Sequence, residues 1–310
     1  MRLINGLISV FVAIAPASMI HHARNAWSAA LRRLPMPLNR YYRQRKWGLD
    51  IALAHFPLVS MSIETVGNCN RDCVYCPVSV FPKRKGRMPT DIFQKVILEL
   101  KALGYKNEIF LHFYNEPLLD TRILDFLTFV HEHLPANPLP FVTNGDLLTL
   151  EKTREIFAAG ATLLRVSIHD RDLVEKIRNI EDQLTPAERR KFTSVHFYDL
   201  DNNIYTSRAG TVAPKANEYK TEPAAFPQGC DKVEYHVDYL GQVHPCPEDM
   251  ENGYVLGNVN SETLLEIWER NRQNFYDHFT GNYTRDICKR CAGVACGKTT
   301  EAAAATRTAQ

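Results

Sequence analysis

Residues 65–77 read TVGNCNRDCVYCP, which sets three cysteines in the spacing Cys69-x3-Cys73-x2-Cys76. Three thiolates this close can hold three irons of a [4Fe–4S] cube and leave the fourth iron open, whereas an electron-transfer cluster takes four protein thiolates. An open iron calls for a ligand from outside the chain. A structural zinc site is the alternative; it would use the same three thiolates and borrow a fourth from elsewhere. The other five cysteines stand at 230 and 246, then at 288, 291 and 296. A secreted disulfide scaffold would be shorter and denser in cysteine. The eight therefore read as metal ligands in the reducing cytoplasm.

Outward from this loop, the chain alternates strand-like and helix-like stretches, as βα units do. Val59–Thr65 reads as a strand leading into the cysteines. Thr90 caps an amphipathic run over Asp91–Leu103 that stops at Gly104. A strand at Glu108–Tyr114 is followed by a helix at Thr121–Leu134, stopped by Pro135. Phe141–Thr143 closes on Asn144-Gly145, and a helix at Leu150–Ala159 ends before Gly160. Thr162–Ile168 and Ser194–Leu200 are further strands. The outline is α/β, a partial (β/α)6 TIM-like barrel, with functional residues expected at the C-terminal ends of the strands. Residues 201–229 lose the rhythm. Beyond them Val233–Tyr239, Gly241 and Gln242–His244 read as a hairpin, and Ser261–Phe275 as a capped helix. The expected division is a basic helical N-terminal extension (1–57), the barrel (58–225), a small α+β unit (226–300) and a disordered tail (301–310).

Charge is uneven along this frame. Residues 1–49 hold eight of the 37 basic residues and none of the 35 acidic ones. The stretch 3–20 is apolar but interrupted by Asn5, Gly6, Ser9, Pro16 and Ser18, which argues against a membrane span. An apolar start with a basic continuation suits the surface of an anionic membrane; it equally suits a helix packed on the protein's own body. Nothing in the composition points to a nucleic-acid partner.

The three-cysteine loop, with aromatic Tyr75 before the last cysteine and a strand in front, resembles the signature of radical S-adenosylmethionine (SAM) enzymes. Further stretches resemble that family's motifs in the right order. Tyr114-Asn115-Glu116-Pro117 is similar to the Gly-Gly-Glu-Pro motif that binds the methionyl amino group, departing from it at the two glycines. Thr143-Asn144-Gly145 resembles the stretch near the ribose, and Ser167 on the fourth strand is similarly placed. The resemblance implies that Cys69, Cys73 and Cys76 hold a [4Fe–4S] cluster and that Tyr75, Asn115, Glu116, Asn144 and Ser167 contact SAM. Strand parity adds His112 and Tyr114 to the face of Glu116 as candidates for substrate contact or proton transfer, with His169 and Asp170 following Ser167.

The second cysteine set, with Gly241–Cys246, Leu256-Gly257-Asn258 and Trp268, resembles the twitch unit, the shortened relative of the SPASM domain. That resemblance implies Cys230, Cys246, Cys288 and Cys291 as ligands of a second [4Fe–4S] cluster. Cys296 is left over, as a spare thiol, as a replacement for one of those four ligands, or as a hydrogen-atom donor in an epimerisation. The implied activity is oxidation or epimerisation of a small polar molecule such as a sugar, cyclitol or glycan. It would be fed by an external flavodoxin- or ferredoxin-like reductant. The alternatives are a peptide-modifying maturase of the same superfamily and a zinc-stabilised binding protein without catalysis.

Overall fold

The computed structural model describes residues 58–82, 84–198, 208–212, 234–250, 254–280 and 285–291. The N-terminal extension, Cys230, Cys296 and the tail lie outside them. No helix of the described residues is long and apolar enough to cross a membrane.

Six strands run parallel. β1 (Ser60–Ile63) pairs with β2 (Glu108–Phe110) on one side and with β6 (Glu234–Val237) on the other. β3 (Pro140–Thr143), β4 (Leu163–Ile168) and β5 (Phe192–His196) form a second ladder. The Ile109 amide donates to the Pro138 carbonyl at 3.0 Å, joining β2 to the entry of β3. The order is β6-β1-β2-β3-β4-β5, and among the described residues no ladder joins β5 to β6. This is the partial barrel expected, and its sixth strand lies beyond residue 230. β6 turns at Gly241 into β7 (Gln242–His244), which pairs with β8 (Gly257–Asn258).

Strand alternation sorts the side chains. Met61 and Ile63 of β1, with Tyr235 and Val237 of β6, are fully buried. Tyr235 packs on Phe275 of the helix α6 (Leu264–Thr280), so this face looks outward to the helices. The opposite, inner face carries Ser60 and Ser62 on β1 and Glu234 and His236 on β6, side by side in register. On β4 the same alternation buries Leu164, Val166 and Ile168 and leaves Arg165 and Ser167 facing inward. A polar inner face in an otherwise apolar fold marks space kept for something other than packing.

Around the sheet, α1 (Thr90–Ala102) buries Phe93, Val96, Ile97 and Leu100, one helical stripe. Phe93 stacks at 4.1 Å on Phe126 of α2 (Ile123–His133). Thr90 does not cap α1: it is the first helical residue, behind Pro89, and its hydroxyl accepts from Arg122 at 3.2 Å. The start of α2 is later than expected because Asp120 and Arg122 close on each other through backbone and side chain. α3 (Leu150–Ala158) is capped by the Thr149 hydroxyl, which accepts from the Lys152 amide at 3.0 Å. α4 (Leu173–Asp182) and the short α5 (Pro186–Arg189) lead to β5, and α7 (Asp286–Cys291) packs against the turn Arg208–Gly210. Lys95 of α1 donates to the carbonyls of Val259 and Glu262, and Glu99 accepts from the Leu264 amide, which ties α1 to the start of α6.

β2 is shorter than the expected Glu108–Tyr114. The Phe113 amide donates to Asn115 Oδ1 at 3.0 Å and the Tyr114 amide to Glu64 Oε1 at 3.1 Å. Side-chain acceptors have taken the donors a longer ladder would need. The parity argument for Tyr114 fails there, since the chain is no longer extended.

Candidate active site

A cavity of about 380 Å³ opens at the C-terminal ends of the strands. Its wall includes Cys69, Cys73, Cys76, Tyr75, His112, Tyr114, Asn115, Glu116, Asn144, Ser167 and His169, eleven of the twelve barrel positions singled out above; Asp170 is not among its lining residues. Four stretches far apart in sequence thus converge on one space. The second cysteine set is described less fully. Cys246 follows β7 and Cys288 lies on α7, both half-buried. Cys291 ends α7, and the placement of its side chain lies outside the described residues.

The cysteine loop is folded by its own backbone and tied down by its neighbours. The Cys76 amide donates to the Cys73 carbonyl at 2.8 Å, and the Arg71 amide reaches Cys69 Sγ at 3.5 Å. Arg71 grips Asp146 with two parallel bonds of 2.6 and 2.5 Å, the fork geometry that fixes orientation as well as charge. Asn70 donates to the same carboxylate at 2.7 Å and accepts from Asn144 Nδ2 at 2.7 Å. Lys176 holds the turn from below through the carbonyls of Gly145 and Asp146. The loop after β3 therefore acts as the anchor for the loop after β1.

Gly145 is essential to that anchor. Its φ of +81° suits glycine, and a Cβ there would come within 2.7 Å of Val166 Cγ1 and 3.2 Å of Ile177 Cδ1. Gly145→Ala is expected to destabilise the fold by about 1–3 kcal/mol, read as a lowered midpoint in denaturant unfolding. An unchanged midpoint would show that the turn relaxes freely.

All three thiols of the loop are free and half-buried, and burial pushes each one up, Cys73 to about 11, with neighbouring cysteines adding to the shift at Cys69 and Cys73 and Asp72 at Cys76. Such thiols ionise when a bound cation compensates the charge. Among the described residues no three Cys, His, Asp or Glu side chains converge on one point as ligands of a single ion do. A cube binds each thiolate at a different iron, so three thiols spread around one cavity wall fit it.

Glu116, behind this loop, is almost fully buried. Its carboxylate accepts from the Leu118 amide (3.0 Å), the Thr143 hydroxyl (2.7 Å) and the Asn144 amide (2.7 Å). Burial pushes its carboxyl above the ordinary range even though these bonds favour the charged form. Three of roughly four acceptor sites are taken, leaving room for one more donor. Two polar atoms of the wall lack partners: His112 Nδ1 and Asn115 Nδ2 are buried without a hydrogen bond. Unpaired polar groups at a cavity mark a place where a ligand completes the bonding. On the far wall the Tyr75 hydroxyl bonds His169 Nδ1, and both rings stack on Phe197. Burial, and then the charge of Arg71, lower His169 to about 4, so its ring is neutral. These unpaired and neutral polar groups fit a nucleotide-sized polar cofactor.

Sequence reasoning missed three charged residues in the wall, Arg71 of the cysteine loop and the pair Arg208 and Glu248. Arg208 bonds Glu248 at 3.3 Å across 40 residues of chain. Arg208 and Ala209 have φ of 48° and 52°, a conformation side chains rarely adopt and one held here by packing. Glu248 lies two residues beyond Cys246, a signal that could have found it; Arg208 sits in a stretch without any pattern. The Tyr114 hydroxyl donates to the Pro247 carbonyl, so the same segment touches the barrel twice. Glu64, paired with Arg84, ties the end of β1 to the loop that follows the cysteines.

The family model of the radical SAM superfamily matches residues 63–187, and that of the SPASM iron–sulfur cluster-binding domain matches 230–292. The chain is 29% identical over 244 residues to the S-adenosyl-L-methionine-dependent 2-deoxy-scyllo-inosamine dehydrogenase of Niallia circulans, covering 76% of this chain and 92% of that one. It is 22% identical over 308 residues to the tungsten-containing aldehyde ferredoxin oxidoreductase cofactor-modifying protein of Pyrococcus furiosus, covering 74% and 86%. Among solved structures, BtrN in complex with AdoMet and 2-DOIA superposes with a TM-score of 0.65 at 28% identity, over 75% of this chain and 92% of that one. With the cysteine loop, the Glu116 cradle and the strand-end cavity in place, the chain is a radical SAM enzyme with a SPASM-type domain at its C-terminal side.

Proposed function

We propose that this protein dehydrogenates a hydroxyl-bearing small molecule of the cyclitol class. The observation that carries the reading is one cavity wall holding both the three-thiol loop and the Arg208–Glu248 pair. The thiols and the Glu116 cradle serve the cofactor; the ion pair offers a donor and an acceptor to a polyhydroxylated ring. The relative that acts on 2-deoxy-scyllo-inosamine supports the substrate class.

In this reading Cys69, Cys73 and Cys76 hold one [4Fe–4S] cluster, and Cys230, Cys246, Cys288 and Cys291 hold a second. When bound at the first of these sites, the cluster and SAM would supply the chemistry that removes one hydrogen atom from the substrate. Glu116 receives the methionyl amino group at its remaining acceptor site, with Asn115 Nδ2 as a nearby donor. Asn144, already fixed by Asn70, and Ser167 face the ribose, and Tyr75 with its His169 partner forms the wall for the base. His112 and Tyr114 face the substrate. A flavodoxin- or ferredoxin-like donor supplies the electron.

The test is anaerobic incubation of the reconstituted protein with SAM, dithionite and 2-deoxy-scyllo-inosamine. Ketone and 5′-deoxyadenosine formed in equal amounts are the expected result. 5′-Deoxyadenosine without ketone, across a panel of aminocyclitols and sugars, would remove the cyclitol reading.

A further inference from the structure

We infer that His112, His236 and Glu234 form an acid–base relay through the barrel interior, carrying a substrate hydroxyl proton from the cavity to the opposite end of the sheet. The inference rests on the dehydrogenation proposed above. A carbinol carbon that has lost one hydrogen atom becomes a carbonyl when its O–H bond breaks and the C=O bond forms. One electron leaves to a one-electron acceptor, and one proton needs a base. His112 lines the cavity, and its buried Nδ1 has no partner.

The next group is placed by sheet register. Ser62 of β1 lies beside Phe110 of β2 and beside His236 of β6, so these positions share the inner face. His112 follows Phe110 and meets its ring edge-on at 5.5 Å; Phe113 stacks on His236 at 4.8 Å. His236 is close enough for its charge to oppose a charge on His112. It is 5% exposed, and its Nε2 stands 3.3 Å from Glu234 Oε2. Glu234 opens β6 opposite Ser60, the first residue of β1, which is the end of the barrel away from the cavity. Its side chain keeps 21% of its surface accessible. Three ionisable groups thus run from cavity to surface along a face where packing alone would place apolar residues.

The charges around the row favour that direction. His112 is held neutral at about 4 by burial, then by His236 and by Arg165 of β4, so it can accept a proton but does not keep it. His236 pairs in register with His244 of β7, and the carboxylate beside it is that of Glu234. His236 and Glu234 touch neither cofactor nor substrate and act through His112.

Two readouts test the relay. In the oxidised holoenzyme labelled with 15N-histidine, a slowly exchanging Nε2–H signal of His236 is expected and should be lost in Glu234→Gln. In the assay with 2-deoxy-scyllo-inosamine, the ratio of ketone to 5′-deoxyadenosine should fall by about 10- to 100-fold in His236→Phe and in Glu234→Gln. A ratio equal to the parent's in both variants overturns the relay. If the parent protein itself makes no ketone from any cyclitol, the dehydrogenation reading has failed. The nuclear resonance signal then judges the relay alone: lost in Glu234→Gln supports it, retained overturns it.

Discussion

Replacing Cys69, Cys73 and Cys76 together with alanine is expected to halve the iron of the anaerobically purified protein, from about eight to about four per chain. It should also abolish 5′-deoxyadenosine formation. The loop is anchored independently of its sulfurs, by Arg71–Asp146 and by Asn70 to Asn144 and Asp146, so the fold should survive the change. Losing the thiols also relieves three burdened groups, each pushed up by burial. Circular dichroism and unfolding midpoints should therefore stay near those of the parent while the rate falls by more than about 10³-fold, the scale expected when the reactive centre is removed outright. Changing Cys246 and Cys288 instead should remove the other half of the iron and leave 5′-deoxyadenosine formation in place. A colourless parent protein that carries zinc would overturn the assignment of both sites.

The second large effect is expected at Arg208. Arg208→Ala should lower kcat/KM for the cyclitol by about 10- to 100-fold, the worth of one hydrogen bond to a charged group. SAM binding should be little changed, since the Glu116 cradle lies on other elements. Arg208→Lys should recover only part of the loss, because an ammonium does not reproduce the planar fork. Glu248→Gln keeps the shape of the pair and removes its charge, which separates binding from mere packing. If Arg208→Ala lowers SAM affinity as much as it lowers kcat/KM, the pair belongs to the cofactor and the substrate reading is wrong.

How much of this was legible beforehand depended on how locally each feature is determined. The cysteine loop, the Asn144-Gly145 turn and the stripe of α1 are decided within a dozen residues, and they appear where the spacing put them. β2 is shorter than its local pattern suggests because the Tyr114 amide is taken by Glu64, 50 residues away, and no local pattern reports that. Thr90 looks like a cap because caps are threonines; that its hydroxyl answers Arg122 is a tertiary fact. β6 reads as one arm of a separate hairpin, since its hairpin partner is five residues on while its other partner is β1 at the start of the barrel. The Arg208–Glu248 pair joins two segments that periodicity cannot relate, and the backbone conformation that aims Arg208 has no signature for a non-glycine residue.

The pairing of β6 with β1 bears on how this protein can be cut. A fragment ending before residue 230 would lose its last strand and leave the amides and carbonyls on one edge of β1 bare. Such an edge recruits other chains. Truncates of that kind should come out of the cell as aggregates, and the cysteine-bearing C-terminal portion cannot be exchanged between relatives like a cassette without carrying its strand of the sheet along.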